Sequence, residues 1–512
     1  MSRNTTNILL GIGGSGARCV EAFLHLAAVG IGPTDVSVCI VDQDAANGNS
    51  ADALSLLSQL SVLQAMLKRP GKHLIPNSSD FLNTAVKPLN DSGFWSPSLL
   101  TSSRRPYTYF RADSMEPASR ALFDSLYSKD EQRIELDEGY HGRPNIGAAV
   151  LTANVLSNDD FLKSLVDNII AGAGAGQDVR IFLVGSIFGG TGAAGFPTIA
   201  RLISRNPDVA RKRGAIKIGG AILLPYFHFT DSNEDDHVIR ARAATFLRNS
   251  EGALRYYDTI ENEGGVYDAL YVIGLDPYLT RRNLGRGGKV QVNPPMLPEM
   301  LGALAAVRHF SLENVESDSV HISGREKLRE FGWEDLPPPT AADLTSLSTE
   351  RARVLQKLGT AVRFAFSYSN IYRPALQPGA LGAVRREAWY QRHLLNSGIA
   401  VDGEAQSSLT ALDAYLQRFL KWIASMTMAS EVKGVFSVKL FDVGRFAEPM
   451  DASGFCELKS RPRRQDFPLL IFGREDSGLE KVLNDLTYEP LTVGGEGLGE
   501  FVASLHHACR LN

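Results

Sequence analysis

The chain has 512 residues, of which 44% are hydrophobic and 21% are charged, and its formal net charge is -4. This composition is that of a globular protein with about two or three domains, and the charge gives no electrostatic reason to expect direct contact with nucleic acid. The four cysteines have no CxxC spacing and are too few for a disulfide framework, which fits a reducing compartment. The amino terminus, MSRNTTNILLGIGG, lacks the pattern of a signal peptide, so we expect a cytoplasmic protein without a membrane span.

The amino-terminal pattern predicts a strand, a helix and a second strand. Residues 7–12 and 36–41 are short, mostly apolar runs, and residues 15–29 between them carry apolar side chains at helical spacing. Because two consecutive strands joined through a helix are parallel, we expect a parallel sheet that is covered on both faces.

The alternation of strands and helices pauses from about 48 to 137, and we interpret this segment as an insertion on the domain surface. It resumes with a polar loop at 139–147 and continues to about residue 275. We therefore predict an α/β fold, with a doubly wound parallel-sheet nucleotide-binding domain over 1–296. The later strands are predicted at 180–184, 216–227 and 267–273.

Residues 297–314 are rich in alanine and leucine and predict one long helix. We interpret 297–318 as a central linking helix with its following loop, and 319–512 as a carboxyl-terminal mixed α+β domain for assembly or activation. Helical runs are predicted at 343–367, 383–396 and 405–428, and strand-like pieces at 434–442 and 468–473.

A glycine-rich loop, Gly11 to Gly16, lies between the first predicted strand and the first helix. Glycines let a backbone approach a phosphate closely, and a helix N-terminus offers free N–H groups and the positive end of the helix dipole. Gly11, Gly13 and Gly16 also satisfy GxGxxG, and Asp42 ends the second strand, where a dinucleotide enzyme places its ribose-binding carboxylate. By itself, this loop leaves a dinucleotide site and any other phosphate site open.

A second glycine-rich loop, GGTGAAG over 189–195, follows the strand predicted at 180–184. No lysine follows it, so it is not a P-loop, and phosphate binding would depend on backbone amides and the Thr191 hydroxyl. The alternative is a turn that packs a strand closely against a helix. Two such loops in this order favour a nucleotide held between two helix N-termini.

The second loop with its flanks, FGGTGAAGFP, resembles the glycine loop of tubulins and FtsZ, where a proline (here Pro197) follows closely. Ala194 departs from the family, which usually has glycine at that place. Over roughly residues 7–315, further segments are similar to loops and strands of the family in the same order, and the size of the chain is more similar to the divergent prokaryotic tubulin-like proteins. These segments are GIGGSGARCVEAF, VDQDAANG, GYHGRPNIG, ILLPYFHF and YDALYVIGLD.

The resemblance implies that the chain binds GTP or GDP with Mg²⁺. Glu299 falls near the position that recognises guanine, where a carboxylate accepts from N1–H and the 2-amino group; a solvated first-turn glutamate favoured by the helix dipole is the alternative. The residues implied at the nucleotide are Gly11, Gly13, Gly14, Ser15, Gly16, Asp42, Asp44, Gly142, Arg143, Asn145, Gly147, Gly189, Gly190, Thr191, Gly192, Ala193 and Glu299.

The resemblance also implies head-to-tail self-assembly into filaments or oligomers, and hydrolysis that uses an acidic loop of the next subunit. Asn314, Glu316 and Asp318 are the candidates for that loop, although their spacing differs from the family's and an ordinary polar loop is the alternative. We therefore predict a self-assembling, tubulin-like GTP-binding protein of a bacterial cytoplasm, with slow or partner-dependent hydrolysis, and name an operon-encoded protein as a candidate partner. The rival hypotheses are a Rossmann-type NAD(P) or FAD oxidoreductase and a tubulin-like structural protein that does not hydrolyse nucleotide.

Overall fold

The structure is a computed structural model of the chain. The residues that it describes are 5–67, 81–97, 104–136, 139–140, 142–156, 160–229, 243–262, 265–275, 279–281, 289, 291–311, 319–323, 329–336, 347–396, 398, 401, 403–489 and 498–511. Its strands are β1 (Thr5–Ile12), β2 (Asp35–Val41), β3 (Ala85–Pro88), β4 (Phe94–Trp95), β5 (Asp178–Ser186), β6 (Ile216–Leu223), β7 (Phe227–Phe229), β8 (Ala269–Ile273), β9 (Leu279–Arg281), β10 (Ser319–Ser323), β11 (Glu330–Phe331) and β12 (Ser437–Val438).

The helices range from single turns to seven turns. They are α1 (Gly13–Ala28), α2 (Gly48–Leu67), α3 (Pro106–Tyr109), α4 (Pro117–Leu126), α5 (Pro144–Leu156), α6 (Asp160–Gly174), α7 (Gly190–Ser204), α8 (Pro207–Arg211), α9 (Ala243–Asn262), α10 (Leu297–Ser311), α11 (Leu347–Ser367), α12 (Arg373–Ala375), α13 (Leu381–Val384), α14 (Ala388–Tyr390), α15 (Gly403–Ala429), α16 (Leu479–Tyr488) and α17 (Leu498–Ala508).

The main sheet is parallel throughout its described pairings, with the order β10-β8-β6-β5-β1-β2-β3 and with β4 paired to the end of β2. Strand β1 lies between β2 and β5, so that Ile12 pairs with Val41 on one side and with Gly185 on the other. The inner strands are continuous apolar runs because helices cover both of their faces. The predicted doubly wound α/β fold is confirmed.

Alternate side chains of each inner strand enter two different cores. On β1, Leu9 faces the core that contains α1, α2 and α10, whereas Ile8 and Leu10 face the core that contains α6 and α7. All three side chains are at most 1% exposed. This division follows the two-residue period of a strand and explains how one sheet supports two helical layers.

Much of the segment expected as a surface insertion belongs to the domain core. Helix α2 packs against α1, and β3 and β4 extend the sheet beyond β2. Among the described residues of this segment, 104–136 form a small separate cluster, in which Phe123 and Tyr127 pack towards α5. At the opposite edge of the sheet, β10 pairs with β8, so the sheet includes a strand from beyond residue 318.

Helix α10 crosses the sheet face and is buried along most of its length. Its carboxyl-terminal carbonyl groups are capped from the sheet, because the Arg180 guanidinium donates to the carbonyl oxygens of His309 and Phe310 at 3.1 and 2.8 Å. Below it, Gly219 of β6 leaves room for the His309 ring, since a Cβ built on that glycine would lie 2.5 Å from Nδ1.

The carboxyl-terminal region is mainly helical, with α11, α15 and α17 packed together. Of the strand-like pieces expected at 434–442 and 468–473, only β12 is a strand, and it pairs with the two-residue β11. Isolated bridges such as Phe441 with Ile471 replace longer pairing. The helix expected at 383–396 is divided into α13, α14 and a π-helical turn over Gln391–Leu395. Within the described residues, no helix combines the length and apolar character needed to cross a membrane.

We predict that Gly219→Ala lowers the free energy of unfolding by about 1–3 kcal/mol, because the added methyl group collides with the His309 ring. Adding His309→Ala makes room for the methyl group, so the two changes together cost less than their sum. Thermal unfolding of the two single variants and the double variant measures this coupling. The control is Gly252→Ala on α9, where nothing lies within 4 Å of the new Cβ; equal midpoints for the two glycine variants would contradict the packing.

Candidate functional site

The carboxyl ends of β1, β2 and β5 meet at one edge of the sheet, and four helices begin there. The first residues of α1, α2, α5 and α7 are Gly13, Gly48, Pro144 and Gly190. Each helix N-terminus has backbone N–H groups without intrahelical partners and carries the positive end of a dipole. This edge is therefore suited to an anion.

The first glycine loop is held tightly between β1 and β5. A Cβ built on Gly16 would lie 2.5 Å from the carbonyl oxygen of Val184, and Gly13 has a positive φ of 71°. Both positions therefore need glycine. Gly14 and Ser15, by contrast, are partly exposed, so that the first turn of α1 is accessible from outside.

The second glycine loop touches the first. A Cβ on Gly13 would lie 3.0 Å from the backbone nitrogen of Gly192, and one on Gly192 would lie 2.6 Å from the Ser186 carbonyl oxygen. Gly189, Gly190 and Ala193 remain partly exposed beside this contact. The structure thus brings the N-termini of α1 and α7 together, as the sequence predicts for a bound nucleotide.

The loop at 139–147 completes the same site. A Cβ on Gly190 would lie 2.9 Å from the backbone nitrogen of Gly142, and one on Gly147 would lie 2.5 Å from the Cβ of Ala194. Ala194, the departure from the family pattern, therefore fills a space that Gly147 leaves open. Arg143 lies 3.6 Å from Glu131 and is partly exposed, and Asn145 is exposed.

Asp42, at the end of β2, is buried under the two glycine loops with 2% exposure. The Asp44 backbone N–H and the Ser50 hydroxyl donate to it, both at 3.3 Å, and the Thr191 side chain forms a further hydrogen bond with it. Burial raises the pKa of Asp42 to about 7, an effect that these hydrogen bonds only partly offset. The Thr191 hydroxyl thus lies close to Asp42, and its contact with a phosphate stays a prediction.

Two asparagines at this site were not among the predicted residues. Asn47 and Asn49, in the loop after β2 and the first turn of α2, are 4% and 2% exposed. A Cβ on Gly14 would lie 3.2 Å from the Nδ2 atom of each. In the sequence, Asn47 is marked only by its place within the VDQDAANG segment, and Asn49 only by following that segment directly. Tyr140 was also missed, and its hydroxyl donates to Gln43 at 2.9 Å.

Glu299 lies at the start of α10 with 1% exposure, in a cluster of buried charges. Its Oε1 accepts from the Tyr226 hydroxyl at 2.8 Å, and its Oε2 accepts from the Met296 backbone N–H at 2.7 Å. The same Oε2 lies 3.7 Å from Nε of Arg18, which also pairs with Glu21 at 2.6 Å. Both oxygens expected to recognise guanine therefore already have protein partners, and guanine recognition by Glu299 stays a prediction.

The chemistry of the site fits Mg²⁺ held together with a phosphate. Magnesium is commonly bound by one or two carboxylates together with phosphate oxygens and water, and Asp42 and Asp44 supply two carboxylates at the end of β2, both buried. In the part of the chain that the structure describes, no cluster of three or more His, Cys, Asp or Glu side chains forms a protein-only metal site. Asn314, Glu316 and Asp318 lie outside the described residues.

Comparisons with known proteins give little further information. No protein-family model and no curated protein matches the chain. A solved structure, CetZ from Methanosaeta thermophila strain DSM 6194, is similar with a TM-score of 0.24 and 14% sequence identity. The match covers 53% of this chain and 46% of the CetZ chain, so this chain spans less than half of the length of CetZ. A TM-score of this size does not establish the fold, which the strand pairings establish directly.

We predict that Asp42→Asn stabilises the ligand-free protein more at pH 8.5 than at pH 5.5. The folded Asp42 keeps its proton up to about pH 7, while the unfolded chain loses it near pH 4, so the wild type loses stability as pH rises through this window. The difference between the thermal unfolding midpoints of the variant and the wild type should be larger at pH 8.5 than at pH 5.5 by about 2 °C or more. The control is Asp91→Asn, in the exposed turn between β3 and β4; an Asp42→Asn offset equal at both pH values would contradict titration of Asp42.

We predict that Glu299→Gln lowers the free energy of unfolding by about 1–3 kcal/mol, because a buried arginine loses one of its carboxylate partners while Glu21 remains. Thermal unfolding measures this loss, and Glu404→Gln, in the exposed first turn of α15, is the matched control. Equal midpoints for the two variants would contradict the structural role. The ratio of GTP to ATP affinity in the same variant tests guanine recognition separately.

Proposed function

We propose that the protein is a tubulin-like GTP-binding protein that assembles head to tail with further copies of itself, and that it hydrolyses GTP slowly or with the help of a partner. The observation that carries this proposal is the meeting of three glycine-rich loops, 11–16, 139–147 and 189–195, at one edge of a parallel sheet. Self-assembly and hydrolysis rest on the sequence resemblance alone.

The contact between Gly13 and Gly192 supports a polyphosphate ligand in particular. It sets the N-termini of α1 and α7 side by side, so that a chain of phosphates can accept from both helices. Each loop has accessible backbone, for example at Gly14, Gly190 and Gly142. Neither lysine nor arginine from these loops is needed, because backbone N–H groups and dipoles supply the positive potential.

Asp42 and Asp44 would hold Mg²⁺ beside the phosphates, and the ion would neutralise phosphate charge. A Rossmann dinucleotide site places its pyrophosphate at one helix N-terminus, whereas the N-termini of α1 and α7 meet here. The geometry therefore favours the tubulin-like proposal over an oxidoreductase.

The nucleotide that purifies with the protein tests the proposal directly. We expect GDP or GTP to be released when the protein is denatured by heat, as measured by chromatography against nucleotide standards. Release of NAD(P) or of a flavin would overturn the proposal. Light scattering with GTP and Mg²⁺, compared with the same sample without GTP, tests assembly; an unchanged monomer in both would restrict the proposal to nucleotide binding.

We predict that Gly14→Asp lowers the affinity for GTP by about 100-fold or more, because a carboxylate at the first turn of α1 takes the place of a phosphate and repels it. The new side chain would meet the amides of Asn47 and Asn49 rather than backbone, so the fold should be retained. Calorimetric titration with GTP measures the loss. Gly252→Asp on the exposed face of α9 adds the same charge away from the site, and equal affinities in the two variants would show that α1 does not bind the phosphates.

A further inference from the structure

The side chain of Asn49 is the best-positioned polar group at the site that the proposed function does not use. Asn49 is 2% exposed, and its Oδ1 accepts from the Asn293 backbone N–H at 2.8 Å. This bond fixes the orientation of the amide. Its Nδ2 has no hydrogen-bond partner among the residues that the structure describes. An amide N–H that has no protein acceptor and is not sealed inside the protein is available to a ligand or a water molecule.

The unused donor lies over the first turn of α1. The Nδ2 of Asn49 would be 3.2 Å from a Cβ built on Gly14, whose backbone is partly exposed. The two observations are independent of each other: one is the free N-terminus of a 16-residue helix, and the other is a buried amide aimed at it. Both offer N–H donors to the same small volume, which therefore suits an oxygen of an anion.

The neighbouring side chains hold this amide in place. The Asn49 backbone N–H donates to Oδ1 of Asn47 at 2.9 Å, and Nδ2 of Asn47 donates to Oε1 of Gln291 at 3.1 Å. The Asn49 backbone N–H also lies 3.2 Å from the Gln291 carbonyl oxygen. Because Asn47 uses both of its polar atoms within the protein, Asn49 is the member of the pair with a donor left for a ligand.

We propose that the Nδ2 of Asn49 donates a hydrogen bond to a phosphate oxygen of the ligand bound at the first turn of α1. The proposal rests on the proposed function only in that the site must bind a phosphate chain; it does not depend on guanine. Asn49 lies in the first turn of α2, whose dipole reinforces the same potential. The phosphate would thus contact α1 and α2 as well as α7.

The test uses Asn49→Asp, which keeps the acceptor for Asn293 but replaces the donor by a negative charge. Calorimetric titration with GTP and with inorganic triphosphate should show affinities that are lower by about 10- to 100-fold than for the wild type. The loss should be larger for GTP than for guanosine, because the charge faces phosphate and guanosine has none. The midpoint of thermal unfolding without ligand should be unchanged or higher, since a carboxylate is favourable at the N-termini of α1 and α2.

Asn206→Asp is the matched control. Asn206 caps α8 through its Oδ1, which accepts from the Asp208 and Val209 backbone N–H groups, and aspartate caps equally well. Asn206 follows the carboxyl end of α7, at the opposite edge of the sheet from the site. The same charge change at Asn206 should therefore leave triphosphate binding unaltered. If Asn49→Asp does not fold, Asn49→Ala replaces it, with an expected loss of about 3- to 10-fold.

Three results would overturn the proposal. The first is wild-type affinity of Asn49→Asp for triphosphate. The second is an equal loss of affinity for guanosine and for GTP, which would place the amide at the sugar or base. The third is no binding of triphosphate by the wild type. Failure of the proposed function gives a different result. A wild type that binds triphosphate but does not prefer GTP to other nucleotides would contradict the GTP proposal. The effect of Asn49→Asp on triphosphate binding would still test the role of Asn49.

Discussion

The whole site depends on how closely the two glycine loops pack against the sheet and against each other. Gly16 lies against the Val184 carbonyl group and Gly192 against the Ser186 carbonyl group, at distances that no side chain tolerates. Gly13 then lies against the backbone of Gly192. These three contacts bring two helix N-termini to one point, and every other feature of the site is arranged around them. A larger residue at Gly16 or Gly192 would separate the helices before it changed any chemistry.

Converging positive helix ends need negative partners, and the protein supplies buried ones. Asp42 accepts from both sides of the site, through Ser50 of α2 and Thr191 of α7. A second buried group balances Arg18 with Glu21 and Glu299. Burial raises the pKa of Glu21 to about 7, with Arg18 opposing the shift. Because each cluster joins residues of different helices through buried polar contacts, the two help to fix the relative positions of α1, α7 and α10.

The sequence allowed prediction of the sheet and of the glycine contacts, because apolar strand runs and glycine loops are local signals. It did not predict the role of α2, β3 and β4, since polar, turn-rich connections obscure short strands whose pairing is long-range. The divided helices at 381–395 and the bridges around Phe441 depend in the same way on tertiary packing. The roles of Asn49 and of Tyr226 as a partner of Glu299 were beyond prediction, because each depends on a residue more than 70 positions away.

The same contacts connect the site with the carboxyl-terminal region. The loop at 47–49 is bonded to 291–293, and this segment leads directly into α10. Pro294 packs against Gly454, and the Leu297 backbone N–H donates to the Ser430 hydroxyl at 2.8 Å. A second connection runs from α2 to α15, where Arg418 binds Asp52 at 2.8 Å. Since α2 begins at the site and Asp52, in its second turn, binds α15, a ligand that fixes Asn49 lies close to both connections. The carboxyl-terminal region is thus positioned by the same segment that would hold the phosphates.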